Sequence, residues 1–317
     1  MKIKVLDHNS LGFDLDPSPL SRYGELEVYG ATDSEEIYAR IYDADVIIIN
    51  KIKVDRECML SAPNLKLICI FATGYDNIDT KSANELGIGV CNVPAYSTDS
   101  VAVCTISTTL ALLTHLREYN NYIRSGEYSK SGIPNKLEPV FHELRDKTWG
   151  IIGAGNIGSA VAKVAEAFGA RVLAYKRTPT DKFNCVDIET LCRESDIITI
   201  HCPLNDGTRG LISKEKIDIM KDGVIIVNAA RGAVIVDDDI VACLENGKIG
   251  GFGSDVYNVE PFAADHPFYK IMNRDNVILT PHCAWGAKEA RERCLSVICD
   301  NIESYLSGGN LNRVEKK

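Results

Sequence analysis

No run of apolar residues approaches the roughly 18 that a membrane-spanning helix requires. The start, Met1-Lys2-Ile3-Lys4-Val5-Leu6-Asp7, places charge inside its first apolar stretch and lacks a signal-peptide core. A cytoplasmic location without a membrane partner is therefore expected. An excess of basic charge is also missing: 35 Lys and Arg stand against 44 Asp and Glu, for a formal net charge of −9 and a pI near 5.3. A nucleic-acid partner would call for a basic face, so none is expected. No Cys-x-x-Cys pair occurs among the 11 cysteines. An odd count in a reducing compartment argues against a disulfide framework. Cys69, Cys91, Cys202 and Cys243 sit inside apolar runs and read as small core residues. None of the six histidines has a zinc-site spacing with cysteine, so no metal is expected. Low-complexity segments and short repeats are absent.

What is present is an ordinary globular composition over 317 residues, 45% hydrophobic and 25% charged. That length suits about two domains of roughly 150 residues, and such domains bury about 70% of the unfolded surface without staples. Short apolar runs alternate with helical patterns, which is how parallel α/β sheets read. The first series of predicted strands is Lys2–Leu6, Leu26–Tyr29, Val46–Ile49, Leu65–Phe71 and Gly89–Cys91. One long helix is predicted from Thr98 to about Ile123. The second series is Thr148–Ile152, Arg171–Tyr175, Ile197–Cys202, Gly223–Asn228, Gly250–Asp255 and Val277–Thr280. A closing helix runs from about Lys288 to Leu306, with apolar positions at i, i+3, i+4 spacing, and Gly308-Gly309 stops it. From pattern alone this helix could join either domain.

The strand ending at Ile152 runs into Gly153-Ala154-Gly155-Asn156-Ile157-Gly158 and then a helical stretch. Between a strand and a helix, G-x-G-x-x-G is a strong signal for a bound dinucleotide. Gly153 permits the turn, Gly155 lets a pyrophosphate approach, and Gly158 lets the helix pack closely. Free N–H groups at the helix start then face the phosphates. The following strand should end in an acid that binds the ribose hydroxyls of NAD. Lys176 stands there instead, followed by Arg177, and no carboxylate appears before Asp181. These cations could bind a 2′-phosphate by charge-assisted contacts, which favours NADP over NAD. If both are simply solvated surface charges, either cofactor binds.

Three motifs lie downstream: Asn228-Ala229-Ala230-Arg231-Gly232, Asp255-Val256-Tyr257-Asn258-Val259-Glu260-Pro261 and Thr280-Pro281-His282-Cys283-Ala284-Trp285. With the glycine loop, Ala72-Thr73-Gly74-Tyr75-Asp76 and His201-Cys202-Pro203-Leu204, their order closely resembles the D-isomer-specific 2-hydroxyacid dehydrogenases. The resemblance covers essentially the whole chain. It implies an α/β fold of two Rossmann-like/flavodoxin-like domains with parallel sheets, the dinucleotide domain (residues 98–284) inserted into a substrate domain (1–97 plus 285–317). It also implies a homodimer. Val93-Pro94-Ala95-Tyr96-Ser97 and Pro281-His282-Cys283-Ala284-Trp285 look most like the glycerate dehydrogenase (hydroxypyruvate reductase) branch. Val103, where the family usually has Glu, Asp or Gln, and the Lys176-Arg177 pair depart from the pattern.

The implied reaction is hydride transfer between a nicotinamide cofactor and a small 2-keto or D-2-hydroxy acid, with hydroxypyruvate and glyoxylate as leading substrates. Arg231 suits the substrate carboxylate and carbonyl, because its planar fork stays charged. His282 is the expected acid/base, since imidazole titrates near neutral pH, and Glu260 is its expected carboxylate partner. By pattern alone, a histidine in a loop would read as structural. The resemblance makes the backbone N–H groups of Thr73 and Gly74 a second carboxylate clamp. It places Asp255 at the nicotinamide carboxamide, Ala229 beside the cofactor, and His201 and Pro203 at the adenosine. Phosphoglycerate dehydrogenase and a non-enzymatic nucleotide-sensing corepressor are the alternative expectations.

Overall fold

The computed structural model describes residues 1–315 and divides into two compact units. One unit is Met1–Ser97 together with the C-terminal stretch beginning at Gly286; the other is Thr98–Trp285. The first unit opens with β1 (Lys2–Val5), β2 (Glu25–Val28), α1 (Ile37–Ile41) and β3 (Val46–Ile49). It continues through α2 (Arg56–Leu60), β4 (Leu67–Ile70), α3 (Thr80–Glu85) and β5 (Gly89–Cys91). All strands are parallel, in the order β2-β1-β3-β4-β5. β3 and β4 are apolar and buried at every position because helices cover both faces. β2, at the edge, is half exposed, and its Glu25 and Glu27 keep that edge charged.

The second unit begins with α4 (Thr98–Leu113), α5 (Leu116–Arg124) and α6 (Glu127–Ser131). Its sheet is built from β6 (Thr148–Ile152), α7 (Asn156–Ala167), β7 (Arg171–Tyr175), α8 (Ile188–Glu194) and β8 (Ile197–Ile200). The chain then runs through α9 (Lys214–Asp218), β9 (Val224–Asn228), α10 (Asp237–Glu245), β10 (Ile249–Ser254) and β11 (Val277–Leu279). The strands pair in the order β11-β10-β9-β8-β6-β7, all parallel. A single parallel bridge, Ala174 to Cys185, adds a vestigial strand outside β7. With it the order becomes that of a doubly wound dinucleotide fold, reversing between β6 and β8.

The last helix, α11 (Lys288–Leu306), packs in the first unit and buries Ala290, Cys294, Leu295, Ile298 and Ile302. Gly308 takes φ +79°, and the Gly309 N–H bonds Ser304 O, closing the helix end. The chain then returns to β5, where the Val314 N–H bonds Val90 O.

The eleven strands fall within two residues of their expected positions. The single helix expected from Thr98 to about Ile123 is broken. His115 adopts φ +49° and the two halves bend by 65°. The second half is redirected by Arg117, whose guanidinium donates to Val277 O at 2.7 Å at the start of β11. No single helix among the described residues is long and apolar enough to cross a membrane. Cys69, Cys91, Cys202 and Cys243 are all buried and free.

Candidate active site

At the end of β6 the chain turns through Gly153 at φ +96°, a conformation that disfavours any side chain. A Cβ there would also lie 2.5 Å from the Cys202 nitrogen. Gly158, in the first turn of α7, is equally closed, since its Cβ would meet Gly153 O at 2.3 Å. Gly155 differs: a Cβ there meets nothing within 4 Å. It is also the N-cap of α7 and provides no side-chain cap. The first-turn N–H groups, those of Asn156, Ile157 and Gly158 among them, are thus left to water or a ligand.

Beyond β8, His201 lies beside this turn. Its Nε2 is 3.0 Å from Thr199 Oγ1, which also accepts the Trp149 indole N–H at 3.1 Å. Burial pushes the imidazole pKa down to about 3, so the ring is neutral. Its Nδ1 is buried and has no hydrogen-bond partner among the described residues. An open glycine turn, an uncapped helix start and an orphaned buried nitrogen together fit a dinucleotide. Lys176 and Arg177, just past β7, are exposed and make no hydrogen bond or ion pair among the described residues.

The next three strands carry the remaining groups. β9 ends at buried Asn228, whose Oδ1 accepts the Ala230 N–H (3.1 Å) and whose Nδ2 donates to Arg231 O (3.0 Å). This locks the turn that bears Ala229 and Arg231. Gly232 follows, packed back to back on the next loop: a Cβ there would sit 2.0 Å from the Tyr257 carbonyl carbon. β10 leads to buried Asp255. Its carboxylate accepts the Thr280 hydroxyl at 2.6 Å and the Cys283 and Ala284 N–H groups at 2.9 Å. These bonds hold the turn past β11, in which His282 sits at φ +52°.

His282 Nδ1 lies 2.5 Å from Glu260 Oε2, and Glu260 Oε1 accepts the Tyr257 N–H at 3.0 Å. Both side chains are about one-quarter to one-third exposed, at 26% and 30%. The Tyr257 hydroxyl donates to Thr280 O at 2.8 Å, bracing the same turn. Glu260 and His282 are thus in direct contact, and Asp255 supports the loop that carries one of them. Thr73 and Gly74 belong to the first unit, on the loop after β4. There the Thr73 hydroxyl donates to Val93 O (2.8 Å), and Thr73 O accepts from Asn92 Nδ2 (2.7 Å). Sequence reasoning passed over Asn228, Tyr257 and Thr280 as functional. Asn228 could have been found, because Asn two and three residues before bonded backbone groups is a turn signal. Among the described residues no cluster of three His, Cys, Asp or Glu side chains could hold a metal ion.

A glycine turn at the strand-order reversal is how open α/β sheets take up dinucleotides, and a carboxylate-backed histidine on the same sheet suits proton transfer beside such a cofactor. The chain belongs to the D-isomer-specific 2-hydroxyacid dehydrogenases: the family's NAD-binding domain matches residues 106–284. It is therefore an oxidoreductase with a nicotinamide-dinucleotide domain. It is similar to the hydroxypyruvate reductase of Blautia hydrogenotrophica, at 39% identity over 325 residues and all of both chains. It is also similar to the glycerate dehydrogenase of Methylorubrum extorquens, at 35% identity over 99% of each chain. Among solved structures, the D-lactate dehydrogenase of Aquifex aeolicus complexed with NAD and lactic acid superposes with a TM-score of 0.87. That match has 29% identity and covers 99% of each chain.

Proposed function

We propose that the protein reduces hydroxypyruvate, and with it glyoxylate, to D-glycerate and glycolate. The observation that carries this reading is the 2.5 Å contact between His282 Nδ1 and Glu260 Oε2. A carboxylate at Nδ1 fixes that nitrogen as a donor and leaves Nε2 as the atom that gives a proton outward. Arg231 is assigned the keto acid's carboxylate and carbonyl oxygen, which its fork can grip together. The Thr73 and Gly74 N–H groups of the first unit are assigned as further carboxylate donors. A nicotinamide held by this domain would supply hydride to C2 of the keto acid. His282 Nε2 is assigned to give its proton to the carbonyl oxygen, and Glu260 keeps the imidazole in place. The names of whole-length relatives support the substrate choice.

In this reading Gly153, Gly155, Asn156, Ile157 and Gly158 hold the pyrophosphate, and His201 and Pro203 hold the adenosine. Ala229 and Asp255 meet the nicotinamide end. Three of the roughly four acceptor positions on the Asp255 carboxylate are taken by the His282 turn, which leaves one for a carboxamide. Lys176 and Arg177 favour NADPH, used at least as well as NADH. The second unit leaves Leu116, Ile123, Ile133, Leu137 and Val140 more than half exposed. These exposed apolar side chains are assigned to the contact with a second copy of the chain in a homodimer. The experiment for the whole reading is a panel of 2-keto acids, each assayed with NADH and NADPH. Rapid oxidation of cofactor with hydroxypyruvate is expected; no turnover with any 2-keto acid would overturn it.

A further inference from the structure

The segment that presents Glu260 is anchored at both ends by one carboxylate that the reaction itself does not use. Asp237, the first residue of α10, is 10% exposed in its side chain. Its Oδ2 accepts Asn258 Nδ2 at 2.6 Å, two residues before Glu260. The same Oδ2 lies 3.3 Å from His266 Nε2, six residues after Glu260. That second contact is off the hydrogen-bond direction: among the described residues, His266 Nε2 and Asp237 Oδ1 are both buried without a hydrogen bond. His266 Nδ1 accepts the Phe268 N–H at 3.2 Å, so the ring proton is on Nε2, facing Asp237. The imidazole is held between Phe262 and Phe268, each with its centroid 4.8 Å away. Burial pushes the Asp237 carboxyl above its usual range.

Asp237 also lies five residues past Gly232, whose backbone packs against Tyr257 and Asn258 too closely to admit a side chain. The Arg231 turn, the start of α10 and the Glu260 segment therefore form one packed assembly, tied by this carboxylate. We propose that Asp237 is a positioning residue, whose carboxylate pins Asn258 and His266 so that Glu260 meets His282. The proposal rests on the acid/base reading of Glu260 and His282. It requires loss of the pin to act through Glu260 and not through cofactor capture. Nothing in the contact of Asp237 with Asn258 and His266 touches the glycine turn or Lys176.

The test is a double-mutant cycle read in steady-state kinetics. Asp237→Asn keeps the shape and removes the charge. It is expected to lower kcat about tenfold while the KM for reduced cofactor stays within about twofold. Glu260→Gln is expected to lower kcat by itself, and the double variant should be no slower than Glu260→Gln, since the pin has then lost its object. Asn258→Ala, at an exposed position, removes one arm of the pin without disturbing the core and should give a smaller kcat loss that also vanishes in the Glu260→Gln background. If Asp237→Asn does not fold, this second cycle carries the test. Parental kcat in Asp237→Asn or, where that variant fails to fold, in Asn258→Ala overturns the proposal, as do losses that multiply with that of Glu260→Gln. Parental kcat in Glu260→Gln would instead overturn the acid/base reading itself.

Discussion

Gly155 and Gly158, in the turn after β6, should respond differently to the same added methyl group. At Gly158 a Cβ would meet Gly153 O at 2.3 Å, more than 1 Å inside ordinary contact, and the obstacle is backbone. Overpacking of that kind costs roughly 1–3 kcal/mol, and the upper end applies because the carbonyl cannot rotate away. Alanine's better helix propensity returns about 1 kcal/mol, leaving a net loss near 2 kcal/mol. For a unit of this size that lowers Tm by about 4–8 °C. At Gly155 a Cβ meets nothing within 4 Å, and its φ of −84° suits alanine. The stability cost is that of a poorer N-cap, about 0.5 kcal/mol and so about 1–2 °C. The methyl would instead stand in the space a pyrophosphate needs. Losing even one charge-assisted contact costs about 1.5–3 kcal/mol, a tenfold or greater drop in affinity. Differential scanning fluorimetry and titration of reduced-nicotinamide fluorescence separate the two effects. Gly155→Ala should lose no more than about 2 °C in Tm while losing cofactor affinity. Gly155→Ala binding cofactor at parental strength would refute the reasoning.

Three other perturbations test the remaining assignments. His282→Ala should lose about 100-fold or more in kcat while binding cofactor normally, measured by turnover and fluorescence titration; a parental rate rejects His282 as the acid. Lys176→Asp should move preference toward NADH mainly by raising the KM for NADPH, and a strong NADH preference in the parent, unchanged in the variant, contradicts the role given to Lys176. Replacing Leu137 and Val140 together by Asp should convert the proposed dimer to monomers in light scattering without lowering Tm appreciably, since both side chains are exposed, at 72% and 68%; a parent that is already monomeric, or a mass unchanged by the substitutions, refutes the assignment of these residues to a second copy.

Strands were legible because two-sided burial forces continuous apolar runs such as Val46-Ile47-Ile48-Ile49. The vestigial strand at Cys185 was not, because one bridged residue leaves no run to read. The break at His115 was equally hidden. Thr114-His115-Leu116 contains neither Gly nor Pro, and the left-handed turn is held by contacts such as Arg117 to Val277 O. The glycine turn was legible because its residue types are dictated by backbone approach. Glu260 and His282 needed the family resemblance, since 22 residues separate them and no local pattern links a carboxylate to an imidazole at that distance. Asp237 was the least visible. Asp237-Asp238-Asp239 puts three like charges in the first turn of a helix, where any of them favours the helix dipole, so sequence alone does not single one out. Only packing distinguishes the first, which turns inward to Asn258, from the third, which accepts the Lys214 N–H.

The register of the sheet explains how distant residues meet. Asn228 pairs with Ser254, and Ser254 with Leu279, across three neighbouring parallel strands. One residue further along, Ala229, Asp255 and Thr280 therefore emerge at the same level. Asp255 can reach Thr280 at 2.6 Å only because β10 and β11 end together. A slip of one residue would turn every side chain to the opposite face and separate that pair. It would also carry the Cys283 and Ala284 N–H groups away from the carboxylate that fixes the His282 turn. The apolar runs of β9, β10 and β11 thus have a second effect besides forming a core. By fixing register, they set the distance between Asp255 and the loop that carries His282.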